Sequence, residues 1–378
     1  ALLILDLRGK SSSEAMFWGY PAVVGNLHNF GGRINMHGDL NLLASNQYCK
    51  AKQLNPAICG SGLFMEGIEQ NPVYYELAFE MPCHPDSVDL QCWLSQYASR
   101  RYGAASPSAQ EAWLLLLNGP YKRGTNGTEK SSIVAARPAL VPKKSGPNAG
   151  FEIPYDPSLI IRAQGLLLKD IEKLSASRPY GFDIMDIQRQ MMTNLGQLIH
   201  RETAHAFKNK DRDAFKLHSG RFLEMLSDMD NMLRTRGEYN YDRWLSDARS
   251  WGDTPEEKNL MEYDATSLVT IWGADGDPRI FDYSWREWAG LINGYYLPRW
   301  QKFYAMLQQH LDAGTTYEED NLPQAYGRET FRANDFYDQL GNWELNYVNT
   351  YNKIRTPITT GNECDIVKLL FPKYLKLA

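Results

Sequence analysis

Residues 1–7 read as one strand ending at Asp6, and residues 23–27 as a second that runs out on Asn26-Leu27-His28-Asn29-Phe30-Gly31-Gly32. Leu63-Phe64-Met65 read as a short buried third, with Glu66 at its C-terminal end. Between the second and third, Leu40-Asn41-Leu42-Leu43-Ala44 through Lys52 has helical spacing. Beyond Glu66 a polar Glu69-Gln70-Asn71-Pro72 turn leads into an apolar-periodic segment from Val73, with Pro72 a favoured first helical residue. Polar groups at the C-terminal ends of three strands, separated by connections of parallel-sheet length, make a βα pattern. Three units at roughly 30 residues each account for the last part of an eight-unit barrel of about 250 residues. Three strands alone would leave long apolar edges unpaired, so the remaining strands are expected upstream.

From about residue 85 the strand signals stop. Trp93, Tyr97 and Arg101 share one helix face, and Ser106-Pro107 is an N-cap and first-turn pair for a helix through Leu117. Residues 119–157, rich in Gly and Pro, read as a long irregular surface connection. Helices are then predicted over 158–176, 180–209, 211–235, 240–250, 255–272 and 283–311, with one more at the C-terminus. Ile184, Ile187, Met191, Leu195 and Leu198 carry amphipathic spacing, as do Phe215, Phe222, Leu226, Met229 and Leu233. The expected fold class is α/β plus all-α. The C-terminal βα units of a (β/α)8 TIM-type barrel over 1–84 precede a large all-helical domain over 85–378.

Size and composition narrow the field of functions. The 378 residues suffice for two domains and a large core. No run of about 18 apolar residues suggests a membrane span, and a net charge of −5 without a basic block gives no sign of nucleic acid as a partner. The abundant rings (10 Trp, 22 Tyr, 14 Phe) suit stacking on pyranose faces, although a packed helical core accounts for most of them. Five widely spaced cysteines, Cys49, Cys59, Cys83, Cys92 and Cys364, form neither a disulfide framework nor a zinc pattern. Asn126-Gly127-Thr128 matches a glycosylation sequon, a triplet common by chance. The chain opens on a strand pattern with no initiator Met, no charged leader and no small-residue cleavage site, which reads as a chain cut from something longer.

The candidate chemistry gathers at the strand ends. In (β/α) barrels that face carries the active site, so Glu66 there reads as catalytic. Outside a barrel it would equally cap the following helix or pair with a buried Arg. Glu69 is a second carboxylate, for which a helix N-terminal role is the commoner fate. The glycines after His28-Asn29 suit a close backbone approach to a ligand or an unusual turn, with an ordinary turn as the alternative. No metal site is expected. His28 and His37 lack a carboxylate to complete a ligand set, and His200 and His205 lie about 140° apart around a helix. Trp272-Gly273 ends a helix before Ala274-Asp275-Gly276-Asp277-Pro278, a fragment of a calcium loop whose later ligands are missing.

Leu27-His28-Asn29-Phe30-Gly31-Gly32 and the stretch Gly60-Ser61-Gly62-Leu63-Phe64-Met65-Glu66-Gly67-Ile68-Glu69-Gln70-Asn71 resemble the barrel motifs of the α-N-acetylglucosaminidases, glycoside hydrolase family 89. The resemblance continues through Tyr97-Ala98-Ser99-Arg100-Arg101-Tyr102-Gly103, Phe182-Asp183-Ile184-Met185-Asp186-Ile187-Gln188-Arg189-Gln190 and Leu268-Val269-Thr270-Ile271-Trp272-Gly273. It extends to Tyr295-Tyr296-Leu297-Pro298-Arg299-Trp300, in order and at compatible spacing. It implies a retaining exo-glycosidase that releases terminal non-reducing α-linked N-acetylglucosamine from a glycan, without metal or organic cofactor. Glu66 matches the nucleophile, His28 and Asn29 match the substrate-binding motif at the barrel mouth, and Trp272 matches a residue that walls the sugar site. The general acid/base belongs to an Asn-Glu motif on an earlier barrel strand, which is not found here. The resemblance also implies a secretory route: periplasmic, extracellular or lysosomal. Two positions depart from the pattern. Leu7-Arg8-Gly9 stands where a Phe-Ala-Glu run is usual, and Gly25-Asn26 where Trp-Cys is common, which affects the subsites near the mouth. A non-catalytic glycan-binding protein that kept the pocket walls is the alternative from another class, and a helical scaffold on a remnant sheet is the third.

Overall fold

The computed structural model describes residues 2–7, 17–124, 129–147, 150–272, 280–317, 319, 334–351, 353 and 361–377. The sequon at Asn126, the Asp275-Gly276-Asp277 fragment and the departure at Arg8-Gly9 lie outside the described residues. The chain divides into two compact units, Ala1–Glu129 with Ile153–Tyr180, and Lys130–Glu152 with Gly181–Ala378.

The first unit is built on a three-stranded parallel sheet in the order β1 (Ile4–Asp6), β2 (Ala22–Asn26), β3 (Ile58–Leu63). Asp6 pairs with Val24 and Asn26 with Leu63, so all three strands run out on the same side. Strand β3 differs from expectation. It begins five residues earlier than Leu63, takes in both glycines, and ends before Phe64 and Met65, which are only half-buried. The reason is the Phe64 ring, which lies back over the sheet. A Cβ on Gly25 would sit 2.1 Å from Phe64 Cε2, and one on Gly62 would sit 2.9 Å from Phe64 Cζ. Glycine is therefore needed inside the ladder, and Phe64 N prolongs the ladder by donating to Asn26 O at 3.0 Å. Phe17, Ala22, Val24, Ala51 and Ile58 form the apolar cluster under the strands.

The segment read as one helix from Leu40 to Lys52 is two, α1 (Leu40–Ala44) and α2 (Gln47–Leu54). The break falls at Asn46, held at φ 53°, whose Oδ1 accepts from Cys49 N at 3.3 Å while its Nδ2 donates to His84 O at 2.8 Å. Helix α3 (Pro72–Glu80) follows β3 as expected. In α4 (Leu90–Tyr102), Trp93 and Tyr97 stack at 5.2 Å and the Arg101 guanidinium lies 5.7 Å from the Tyr97 ring. Ser106 caps α5 (Pro107–Asn118), accepting from Ala109 N at 3.0 Å. Helices α6 (Ser158–Lys169) and α7 (Ile171–Leu174) complete this unit's helices.

The second unit holds α8 (Arg178–Lys208, from Gly181 on), α9 (Arg212–Leu233), α10 (Tyr241–Arg249), α11 (Pro255–Leu268), α12 (Leu297–Ala313), α13 (Asp335–Asn349) and α14 (Glu363–Leu375). Residues 181–196 of α8 are buried on every side rather than along one stripe, and Leu198, placed on the apolar face by its spacing, is 40% exposed. Charged and hydroxyl groups buried on α8 find partners, as burial requires: Arg189 Nε lies 2.8 Å from Asp186, the same guanidinium meets Glu287, and Thr193 Oγ1 donates to Glu287 at 2.9 Å.

Three further expectations are corrected here. Residues 119–157 lack helix and strand among those described, but they are not a surface connection. Tyr121 and Glu129 are buried in the first unit and residues 131–137 in the second. Side chains reach carbonyls of the latter stretch and of Pro138 just after it. Arg299 donates to Ala135 O at 2.7 Å and Tyr337 Oη to Pro138 O at 2.7 Å. The helix expected over 283–311 begins only near Ile292, with a π-helical turn to Tyr296, because Asp282 at φ 57° and Gly290 at φ 88° turn the preceding chain. The single C-terminal helix is two, α13 and α14.

Candidate active site

Two loops leave adjacent strand ends and meet. After β2, Phe30-Gly31-Gly32-Arg33 makes a tight turn with Arg33 N reaching Phe30 O at 3.4 Å and both glycines at positive φ, 66° and 71°. Two consecutive left-handed residues are accessible at low cost only to glycine. The turn aims the Gly31 amide at the loop after β3, where it donates to Glu66 Oε2 at 2.7 Å. Glu66 is itself exposed. The amide bond fixes the position of the carboxylate oxygen.

Beneath Glu66 lies a set of mutually hydrogen-bonded side chains, buried except for the half-buried Tyr75. Asn29 Nδ2 donates to Gly67 O at 3.3 Å and to Tyr75 Oη at 2.9 Å, and Gln70 Nε2 donates to the same two oxygens at 3.0 and 3.1 Å. His28 has both ring nitrogens engaged, Nδ1 with Tyr75 Oη at 2.9 Å and Nε2 with His37 O at 3.0 Å. Its ring stacks between His37 at 4.1 Å and Tyr74 at 3.9 Å. Burial, with the neighbouring His37, pulls the His28 imidazole well below its ordinary value and keeps it neutral. Asn71 is satisfied on all sides: Oδ1 accepts from His37 N at 3.1 Å and Tyr121 Oη at 2.9 Å, while Nδ2 donates to Asn35 O at 3.0 Å and Gln70 Oε1 at 3.2 Å. An ion pair buried on both sides, Arg33 with Glu129 at 2.8 Å, backs the glycine turn, and Phe30 N reaches Glu129 Oε2 at 3.4 Å.

The expected site residues are therefore placed unequally. Glu66 and the turn after Asn29 come together. His28 is 3% exposed and Asn29 fully buried, so neither presents a side chain to solvent, although Asn29 Oδ1 is a buried acceptor with no partner. Glu69 is exposed at φ 66°, and the residue before α3 is Asn71. Trp272 belongs to the second unit. It lies beyond the end of α11 at φ 46°, its N donating to Ser267 O at 2.8 Å and its ring 4.6 Å from Tyr283. Among the described residues no group of three or more His, Cys, Asp or Glu is arranged to hold a metal ion, and no helix is long and apolar enough to cross a membrane.

The chain matches two family models, the alpha-N-acetylglucosaminidase (NAGLU) tim-barrel domain over residues 1–85 and the alpha-N-acetylglucosaminidase (NAGLU) C-terminal domain over residues 93–373. The chain belongs to the α-N-acetylglucosaminidase family. It is 31% identical to the alpha-N-acetylglucosaminidase of Homo sapiens, over 99% of this chain and 48% of that protein. It is also similar to solved structures of a family 89 glycoside hydrolase from Clostridium perfringens. The complex with PUGNAc has TM-score 0.85 at 29% identity, covering 98% of this chain and 42% of that one. The complex described as holding its substrate GlcNAc-alpha-1,4-galactose has TM-score 0.86 at 28% identity, covering 99% and 42%. The chain thus spans about half the length of the curated α-N-acetylglucosaminidase it matches. The parallel strands are βα units of the family's barrel, and the helices of the second unit belong to its C-terminal domain.

The residues of this site that sequence reasoning does not single out are Tyr75, Gln70, Asn71, Arg33 and Glu129. Gln70 and Asn71 stood in plain view but read as a polar turn. Tyr75 is hidden in an apolar-periodic helix, where an aromatic ring signals core. Nothing near Glu129 marks it as the partner of a residue nearly a hundred positions away.

Proposed function

We propose that this chain carries the nucleophile of a retaining exo-glycoside hydrolase that releases terminal non-reducing α-linked N-acetylglucosamine. The observation that carries the reading is the Gly31 amide donating to the Glu66 carboxylate at 2.7 Å, where the loops after β2 and β3 meet. Glu66 attacks the anomeric carbon, and a second carboxyl about 5–5.5 Å away protonates the leaving oxygen and later activates water. That second carboxyl is assigned to the part of the relatives' length that this chain does not cover. Asn29 serves the sugar through its unpaired Oδ1, reached when the loop relaxes around a bound ring, and His28 acts from below by holding Tyr75. Trp272 is assigned to the wall of the sugar site. The domain boundary follows at residues 84/85, and a secretory destination goes with the family's glycan substrates.

The test is hydrolysis of an aryl α-N-acetylglucosaminide by the protein at the relatives' full length, before and after Glu66→Gln. The parent turns over and the variant loses nearly all activity, since the nucleophilic step has no substitute. Substantial activity in the variant refutes the assignment. Sugar binding without turnover by the parent would favour a glycan-binding protein instead. This chain alone should turn over slowly, because an absent general acid costs on the order of 10²–10⁴ in rate.

A further inference from the structure

The hydrogen positions around Tyr75 have one self-consistent arrangement. Asn71 Nδ2 donates to Gln70 Oε1 at 3.2 Å, which turns the Gln70 amide nitrogen toward Gly67 O and the Tyr75 oxygen. The Gly67 carbonyl orients Asn29 in the same way, because a carbonyl accepts only and the Asn29 atom facing it at 3.3 Å must be Nδ2. Two amide donors thus meet the phenol oxygen, at 2.9 and 3.1 Å, and use both of its lone pairs. Its own proton is left to point at His28 Nδ1, 2.9 Å away. With Nδ1 accepting, the neutral imidazole carries its proton on Nε2 and donates to His37 O at 3.0 Å.

We propose that Tyr75 is a positioning residue for the Glu66 nucleophile: by accepting both amide protons and donating its own to His28, it holds the Asn29 and Gln70 amides on the Gly67 carbonyl, and so holds the segment that carries Glu66. The proposal rests on the reading of Glu66 given above. Gly67 follows Glu66 directly, so the carbonyl gripped by two amides and the carboxylate gripped by the Gly31 amide are the two fixed points of one short loop. Between them they fix where the carboxylate sits and which way it faces. Burial pushes the Tyr75 phenol up to about 12, against the hydrogen bonds from Gln70 and Asn29, so the hydroxyl stays protonated at any working pH. Phenylalanine has the same ring but neither accepts nor donates. It would leave one hydrogen on each of the two amides without its acceptor and the His28 Nδ1 lone pair facing carbon.

Tyr75→Phe, in the protein at the relatives' full length and with the aryl α-N-acetylglucosaminide as substrate, separates positioning from mere support. A displaced nucleophile lowers kcat while ground-state binding persists, so kcat falls about tenfold to a hundredfold and KM stays within about twofold. Active-site titration with a mechanism-based inactivator reports the folded fraction, and the loss in kcat persists per titrated site. A kcat per site within about twofold of the parent overturns the proposal. If Tyr75→Phe fails to fold, Gln70→Met removes one amide from the same two oxygens. A fall of severalfold in kcat at unchanged KM then supports the role, and parental kcat overturns it. An inactive parent overturns this proposal together with the glycosidase reading, whereas an active parent with an unaffected variant overturns this proposal alone.

Discussion

His200 sits in the second unit as a buried neutral imidazole, and acidification should find it. Its Nε2 faces Ala139 O at 2.9 Å and must donate, so Nδ1 accepts from Tyr304 Oη at 2.9 Å. The ring packs edge-on against Trp300 at 4.7 Å. Burial lowers its pKa from 6.5 to about 4, only partly offset by the backbone carbonyls of Ala139 and Leu140. Between pH 6.5 and about 4 the unfolded chain therefore takes up a proton that the folded chain refuses. The stability this group contributes is full above pH 6.5 and is lost as pH falls through that window, by about 3 kcal/mol in all. His200→Gln abolishes the titration. At pH 7 the variant should be less stable by about 1–3 kcal/mol, for the lost Tyr304 bond and Trp300 packing. By pH 4 the difference closes or reverses. The assay is urea unfolding of parent and variant at pH 7, 6, 5 and 4, followed by far-ultraviolet circular dichroism. Taking the difference at each pH cancels groups common to both proteins. Among these is Asp282, whose carboxyl is raised to about 6 chiefly by burial and so works in the opposite direction. A difference that stays constant from pH 7 to pH 4 refutes the reasoning.

Glu129→Gln takes the carboxylate from beside the buried Arg33 guanidinium. The expected loss is about 3–5 kcal/mol of stability in the first unit, read as a lowered urea midpoint, with reduced turnover as the glycine turn loses its anchor. Gly25→Ala sets a methyl 2.1 Å from the Phe64 ring and 2.7 Å from Gly62 O, and should cost about 1–3 kcal/mol. Adding Phe64→Ala should recover only the part due to the ring, and full recovery in a double-mutant cycle would show that the backbone contact is harmless.

The glycines show both the reach and the limit of reading the chain in one dimension. The apolar pattern places the third strand at Leu63-Phe64-Met65, beyond Gly60 and Gly62. Both lie inside the strand, where Gly62, like Gly25 on the neighbouring strand, is demanded by the Phe64 ring folding back over the sheet. Gly31-Gly32 invited two readings, an ordinary turn or a close approach. They form a turn whose purpose is an approach, the Gly31 amide reaching a carboxylate 35 residues further on. In α8 the spacing correctly marked Ile184, Ile187, Met191 and Leu195 as core. It missed the polar groups buried on the other side, because their partners, such as Glu287, come from far along the chain.

What the sequence determined by itself is whatever depends on neighbours a few residues apart. That covers the βα alternation and its parallel sense, the cap at Ser106 and the helix start at Pro72, the helical character after residue 85, and the arrival of Glu66 beyond a strand end. These follow from backbone geometry, side-chain period and the orphan groups at helix ends, all of which act locally. The tertiary structure alone decided which groups meet across the chain: Gly31 with Glu66, Tyr75 with His28, Asn29 and Gln70, Arg33 with Glu129, and the buried course of residues 131–137. A buried polar atom must find a partner wherever the fold puts one, and a residue's type says that it needs a partner without saying which.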